Sequence, residues 1–248
     1  MFYSRIISKI NSGEKCLSIL IDPQKSEALE IERLAMEAEA YGFVSIMVGG
    51  SFVEDGQTDA CIDRLRKASD LPIVLFPGDT NQVSNKADVL LYLSLLSGRD
   101  PKWLVDKQVE AVPQILDSEL EVVPTAYMVL DGGVHSSVLK KSGTQALSQS
   151  EISLIVDTAK AGEYMGKRLV YLDAGSGAID PVHSDVITAV KEAITIPLVI
   201  GGGVDSLKKL KAAYDAGADM VVMGNVFEKD PRFISGLKEL LKPEASWS

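Results

Sequence analysis

The residues best suited to chemistry stand at the ends of short apolar runs. Asp22 closes the run CLSILID (16–22). A carboxylate there can hold Mg2+, which takes one or two protein oxygens and leaves its other positions to water and substrate phosphates. An Asp before Pro23 can equally serve a turn or a helix cap. Ser51 follows Gly49 and Gly50 on the next run and can add a hydroxyl or backbone oxygen. Lys25 reads either as a phosphate contact or as a solvated lysine. In YLDAGSGA (171–178), Tyr171 and Asp173 share one face, because side chains alternate along a strand. A phenol and a carboxylate side by side can hydrogen-bond a polyol, and Asp173 can polarise a hydroxyl or take its proton. The backbone of Ala174, Gly175, Ser176 and Gly177 can then meet a phosphate, or simply turn.

Two further glycine groups follow the last two runs. GGGVDS (201–206), with Gly202 and Gly203, opens a helix, and Gly224-Asn225 closes the run 220–225. Backbone N–H groups and helix dipoles bind phosphate in such places without basic side chains, although tight turns alone would also account for the glycines. His135 and His183 lie in connections, and no partners for a Ser–His triad or a zinc site are evident. Cys16 and Cys61 sit in apolar surroundings and read as buried thiols.

These residues need elements to position them. Eight apolar runs recur, at 16–22, 43–50, 72–78, 89–96, 122–131, 168–174, 197–203 and 220–225. Continuous apolarity suits parallel strands buried on both faces. Amphipathic stretches lie at 27–41, 101–116, 149–165, 181–194, 206–216 and 231–241, with Pro101, Pro181 and Pro231 where a first helical turn tolerates proline. Ser206 suits a helix cap. Phe2, Ile6 and Ile10 suit one face of an N-terminal helix within 1–13. On helix 101–116, Trp103, Leu104, Val109 and Val112 read as core, whereas Tyr92 and Tyr127 read as groove lining or aromatic core. Segment 79–87 is too short and polar for a full helix, so one crossover is expected to be a loop or a single turn. Segment 132–148 is a long Gly/Ser/Thr-rich connection. The alternation predicts one (β/α)8 barrel over 1–248, with a doubly wound sheet as competitor. In such barrels the chemistry sits at the C-terminal strand ends, where the residues above fall.

Composition narrows the ligand classes. The chain has 248 residues, 46% hydrophobic and 24% charged, as globular proteins do. Its 25 Lys+Arg against 35 Asp+Glu give a net charge of -10. That lacks the footprint of a nucleic-acid binder and disfavours anionic lipid surfaces. Phosphate binding would therefore rest on backbone amides and a metal, with few basic side chains. The N-terminus has no apolar signal core, and no run of 18 apolar residues suggests a membrane span, so a cytoplasmic protein is expected.

Taken together, LIDPQK, VGGS, LSGRDPKWLV, YMVLDGG, YLDAGSGA, IGGGV and GN stand in the order of the geranylgeranylglyceryl phosphate synthase family, heptaprenylglyceryl phosphate synthases included, and the chain resembles that family over nearly its whole length. The resemblance is strongest to the second of the family's two groups. It implies a (β/α)8 barrel that transfers a geranylgeranyl group from its diphosphate to the C3 hydroxyl of sn-glycerol 1-phosphate. The product would carry the first ether bond of archaeal-type ether lipids, with Mg2+ as cofactor. By position it implies Asp22 and Ser51 for the metal. For glycerol phosphate it implies Tyr171, Leu172, Asp173, Ala174, Gly175, Ser176, Gly177, Gly202, Gly203, Gly224 and Asn225. It also implies a homo-oligomer, dimer or hexamer. The chain departs from the family pattern twice: Gln24 replaces the usual acidic residue of the first motif, and Asp173 replaces a Glu. A heptaprenyl or other-length donor, or a sugar-phosphate isomerase or aldolase of the same fold, are the alternatives.

Overall fold

Each of the eight apolar runs forms a strand in the computed structural model, which describes residues 1–224 and Leu237. The strands are β1 (Cys16–Ile21), β2 (Ser45–Val48), β3 (Ile73–Leu75), β4 (Val89–Leu95), β5 (Glu121–Val129), β6 (Leu169–Asp173), β7 (Leu198–Gly201) and β8 (Met220–Met223). They pair in parallel in sequence order, and β8 returns to β1 through Cys16 opposite Met220. The barrel is closed, as the alternation of runs predicts, and the doubly wound alternative falls away.

Alternation along each strand divides the core in two. On β6, Leu169 and Tyr171 point inward, whereas Val170 and Leu172 pack in the outer layer against the helices. On β4, Leu91 and Leu93 point inward and Leu90 and Tyr92 outward. Ser18 and Ser45 hydrogen-bond inside the barrel at 2.7 Å, so two buried hydroxyls satisfy each other. Helix α1 (Phe2–Asn11) adds Phe2 and Ile6 to the inner cluster, and the Glu121 carboxylate accepts the N–H groups of Phe2 and Tyr3.

The outer layer holds α2 (Ala28–Ala40), α3 (Gln57–Ala68), α4 (Lys107–Leu116), α5 (Ser137–Ser142), α6 (Ile152–Tyr164), α7 (Ser184–Ala193) and α8 (Leu207–Asp215). The crossover from β3 to β4 carries one 3-10 turn at Thr80–Gln82, as the short polar segment predicts. That crossover adds no α-helix to the outer layer, and α4, with the turn just before it, follows β4 and packs against it. The long 132–148 connection contains α5. Helix 101–116 begins with a π turn, Lys102–Asp106. The side-chain amide of Gln108 donates to the carbonyls of Trp103 and Leu93 beside it. Pro181 does not open its helix; α7 starts at Ser184 with His183 as N-cap. The core reading of helix 101–116 is corrected too: Trp103 and Leu104 are half-buried, but Val109 and Val112 are exposed. Both thiols are buried, and burial pushes Cys16 up to about 11 and Cys61 to about 12, so both stay neutral. The expected helix at 231–241, with Pro231, lies outside the described residues except for Leu237, which is buried in the outer core cluster. Among the described residues no helix is long and apolar enough to cross a membrane.

Candidate active site

A cavity of about 1040 Å³ opens at the C-terminal ends of the strands. That volume sits at the upper end of the range for small-molecule sites, roughly 300–1,000 Å³. Its lining has two characters. Asp22, Ser51, Asp173, Ser176, Gly202 and Gly224 form a polar floor at the barrel mouth. Leu90 and Tyr92 on the outer side of β4, with Ala111 of α4 and Trp103, which packs on the inner cluster, line an apolar groove. The groove exists because the β3–β4 crossover brings no helix to fill it.

Asp173 is the buried carboxylate of the floor. Its Oδ2 accepts the Tyr127 hydroxyl at 2.7 Å, and its Oδ1 accepts the Gly175 N–H at 2.7 Å. Burial raises its pKa from the ordinary aspartate value, and those two hydrogen bonds pull against that rise. A carboxylate poised upward is better matched to proton transfer near neutral pH. Burial also holds Tyr127 and Tyr171 well above the usual phenol value, so both remain neutral, and Tyr127 remains a donor. Phe76 stacks on Tyr171 at 4.9 Å and meets Tyr127 edge-on at 5.4 Å. This aromatic cluster fixes both phenols beneath the cavity.

The loops after β6 and β7 interlock beside Asp173. Gly202 has φ +78, and a Cβ there would lie 2.5 Å from the Gly175 amide and 2.7 Å from Asp173 Oδ1. Only glycine fits that position on both counts. Ser206 caps α8, accepting the Lys209 N–H at 3.3 Å, as its place before the helix predicts.

Across the mouth, Asp22 continues the inward face of β1. Its Oδ2 pairs with Lys25 at 2.8 Å, and its Oδ1 accepts the Gln24 N–H at 3.1 Å, so the turn-forming reading of Asp22 also holds. Gly50 packs directly on this carboxylate, where a Cβ would come within 2.6 Å. The buried side chain of Gln82 ties the strand ends together: its carbonyl accepts the N–H groups of Gly50 and Gly78, and its amide donates to the Gly50 carbonyl at 2.7 Å. Among the described residues no three His, Cys, Asp or Glu side chains converge as a metal cage. The donor set fits Mg2+ of the kind held by one carboxylate, a hydroxyl and substrate phosphates.

The comparisons with known proteins bear on this geometry. The PcrB family model matches residues 11–241. The chain belongs to the PcrB family. The geranylgeranylglyceryl phosphate synthase of Zunongwangia profunda is 47% identical over 221 residues, 89% of this chain and 93% of the relative. That of Thermococcus kodakarensis is 35% identical over 87% of this chain and 85% of its own. Among solved structures, (S)-3-O-geranylgeranylglyceryl phosphate synthase from Thermoplasma acidophilum, in complex with sn-glycerol-1-phosphate, superposes with a TM-score of 0.88 at 32% identity, covering 96% of each chain. The relatives are enzymes by name, and this PcrB-family chain is an enzyme of the same kind.

Within the PcrB-family barrel the sequence-chosen residues separate into groups. Asp22, Ser51, Tyr171, Asp173, Ser176, Gly177, Gly202, Gly203 and Gly224 all line the cavity. Gly175 reaches the site through its amide on Asp173. Leu172 and Ala174 pack their side chains in the outer layer, leaving only backbone for a ligand. Asn225 lies outside the described residues. Gln24 does not line the cavity; its side-chain carbonyl accepts the Glu54 N–H at 3.3 Å, so this departure takes no carboxylate from the lining. His135 and His183 are exposed and away from the cavity. The expectation of few basic side chains is corrected: Lys25, Lys107, Lys141 and Lys208 line the cavity. Tyr127 is the other addition, read from sequence only as groove or core, and Gln82 carried no sequence signal.

Proposed function

We propose that this chain transfers a prenyl group, geranylgeranyl in the first instance, from its diphosphate to the C3 hydroxyl of sn-glycerol 1-phosphate, forming the first ether bond of an archaeal-type lipid. One observation carries the reading: a single cavity joins a polar floor built around a buried carboxylate to an apolar groove. A reaction between a polyol phosphate and a lipid diphosphate needs both. The names of the relatives and the bound acceptor in the Thermoplasma acidophilum enzyme support the choice of substrates.

In this mechanism the loops after β6, β7 and β8 hold the acceptor phosphate with backbone amides, led by Ser176, Gly177, Gly202 and Gly203. Tyr171 and Asp173 orient the glycerol hydroxyls. Asp173 accepts the C3 proton as the oxygen bonds to C1 of the prenyl chain, while Tyr127 steadies the carboxylate. Asp22, with Ser51, would hold Mg2+, which offsets charge on the departing diphosphate. Leu90, Tyr92, Trp103 and Ala111 seat the hydrocarbon tail. At roughly 0.8 kcal/mol per buried CH2, even part of a C20 chain supplies ample binding energy.

The deciding assay incubates the protein with labelled sn-glycerol 1-phosphate, Mg2+ and prenyl diphosphates of several lengths. A prenylated glycerol phosphate is expected, with the geranylgeranyl donor used best. Preference for a longer donor would transfer the assignment to a heptaprenyl type, and no product with any donor would overturn prenyl transfer.

A further inference from the structure

A third polar station in the cavity lies apart from both Asp22 and the glycine loops. Asp79, the residue after Gly78 beyond β3, holds two lysines from different elements. Lys107 of α4 lies 2.9 Å from its Oδ1, and Lys141 of α5 lies 2.9 Å from its Oδ2. All three side chains line the cavity and are mostly shielded, at 25%, 22% and 18% exposure for Asp79, Lys107 and Lys141. Burial works against the Asp79 charge, but hydrogen bonds from both lysines and the Thr80 N–H bring its pKa down to about 2. It is a carboxylate at any working pH.

Two ammonium groups brought this close repel each other, and a shared carboxylate is what makes the pairing stable. The trio keeps one net positive charge. Glu110 also meets Lys107 at 2.7 Å, but its side chain is 54% exposed, so solvent screens it. Each ammonium has three N–H donors. Lys107 spends them on Asp79 and Glu110, and Lys141 on Asp79, so the pair keeps donors in hand for an anion.

The position is informative. Gly78 packs against the Gly50–Ser51 backbone, where a Cβ would fall 2.3 Å from the Gly50 carbonyl oxygen, and Gly50 packs on Asp22. The lysines therefore follow Asp22 around the rim. On the other side, the helix of Lys107 also carries Ala111 of the apolar groove, and Trp103 stands in the π turn just before it. The pair stands where the polar floor gives way to the groove.

We propose that Lys107 and Lys141, preset by Asp79, form the binding site for the diphosphate of the alkyl donor. The assignment rests on the prenyl-transfer reading above. As the bond between the prenyl C1 and the diphosphate oxygen breaks, its electron pair leaves with the diphosphate. The new bond forms from the glycerol C3 oxygen, whose proton passes to Asp173. Negative charge grows on the diphosphate during this step, so the lysines bind the transition state more tightly than the bound donor. Their three-point arrangement is already assembled, so little reorganisation is needed.

The test is calorimetric titration of the full chain with inorganic pyrophosphate and Mg2+, and in parallel with sn-glycerol 1-phosphate. Lys107→Gln and Lys141→Gln should each weaken pyrophosphate binding about tenfold or more and leave glycerol phosphate binding within about twofold. Each single variant leaves Asp79 one lysine, which protects the fold. Lys141→Arg should retain most of the affinity, because the charge is kept. In steady state the donor KM should rise and kcat fall with the acceptor KM unmoved. Unchanged pyrophosphate affinity in both Gln variants would overturn the proposal. So would equal loss of both ligands with a lowered melting temperature, which would mark a purely structural ion cluster. Lysine-dependent pyrophosphate binding without prenylated product from any donor would uphold the anion site and reject prenyl transfer.

Discussion

Asp173 must be ionised to accept a proton, yet burial opposes its charge. For an acid whose folded-state pKa is raised, the stabilising contribution of the neutral form is present at low pH and is lost as pH rises through the raised value. At neutral pH the charged side chain is therefore a cost to the fold. Asp173→Asn removes the titrating charge together with one of its two acceptors, so the fall in melting temperature as pH rises through the raised Asp173 value should be absent in the variant. Its kcat/KM should fall about a hundredfold or more, and a near-normal rate would make Asp173 a positional residue. Tyr127→Phe removes a hydrogen bond that favours the carboxylate, so the acid limb of kcat/KM should move to higher pH. A limb that stays in place would separate Asp173 from proton transfer. Gly50→Ala is the corresponding change on the other side of the mouth. Its methyl would meet the Asp22 carboxylate within 2.6 Å. It should lose Mg2+-dependent turnover as Asp22→Ala does, while glycerol phosphate still binds in calorimetry. Wild-type Mg2+ response in both variants would remove the metal from Asp22. Asp22, Tyr171 and Asp173 were legible in the sequence because strand alternation carries them onto the inner face at the C-terminal ends. Lys107 and Lys141 were not. They stand on helices whose rotation about the barrel is set by packing, and local pattern does not report it.

Among the elements, the strands were readable because burial on both faces leaves unbroken apolar runs. Helices α3 and α5 were passed over: α5 is short and lies in a Gly/Ser/Thr-rich connection, and the buried face of α3, Thr58, Cys61, Ile62 and Leu65, is spaced as one helical side but obscured by charged neighbours. The start of α7 was misplaced because Pro181 suits a loop as well as a first turn. The most consequential element is the helix that the β3–β4 crossover lacks. Its absence, foreseen from the polar segment 79–87, lets the cavity reach the outer side of β4, where Tyr92 is half-buried and Leu90, still part of the core, forms the wall. Ala111 is a buried, small residue on the α4 wall of that groove. Ala111→Phe should therefore shorten the space for the tail. Competition between C10 and C20 donors should shift toward the shorter by about tenfold or more, since each excluded CH2 forfeits roughly 0.8 kcal/mol. Unchanged donor preference would show that the tail leaves the mouth by another route.

At the scale of the whole molecule, charge and apolar surface act in opposition. The net charge of -10 coexists with four lysines around one cavity, where Asp22, Asp79, Asp173 and Asp205 balance them, so any anion-binding field is local and the acidic excess lies on the rest of the molecule. The π turn and α4 meanwhile expose Val105, Val109, Val112 and Leu116 at 56%, 66%, 40% and 78%, spaced along one side. An exposed apolar stripe of this kind marks a contact surface. We expect copies of this chain to associate through it, against the repulsion of two acidic molecules. Salt screens such repulsion over roughly 10 Å at 0.1 M and does not weaken apolar burial, so the mass measured by sedimentation should rise with added salt. Val109→Glu with Leu116→Glu should lower that mass toward 26.7 kDa and leave pyrophosphate and glycerol phosphate binding intact, because neither side chain lines the cavity. An unchanged mass in the double variant would place association on another face, and a monomer in the unaltered chain at every salt concentration would remove it altogether.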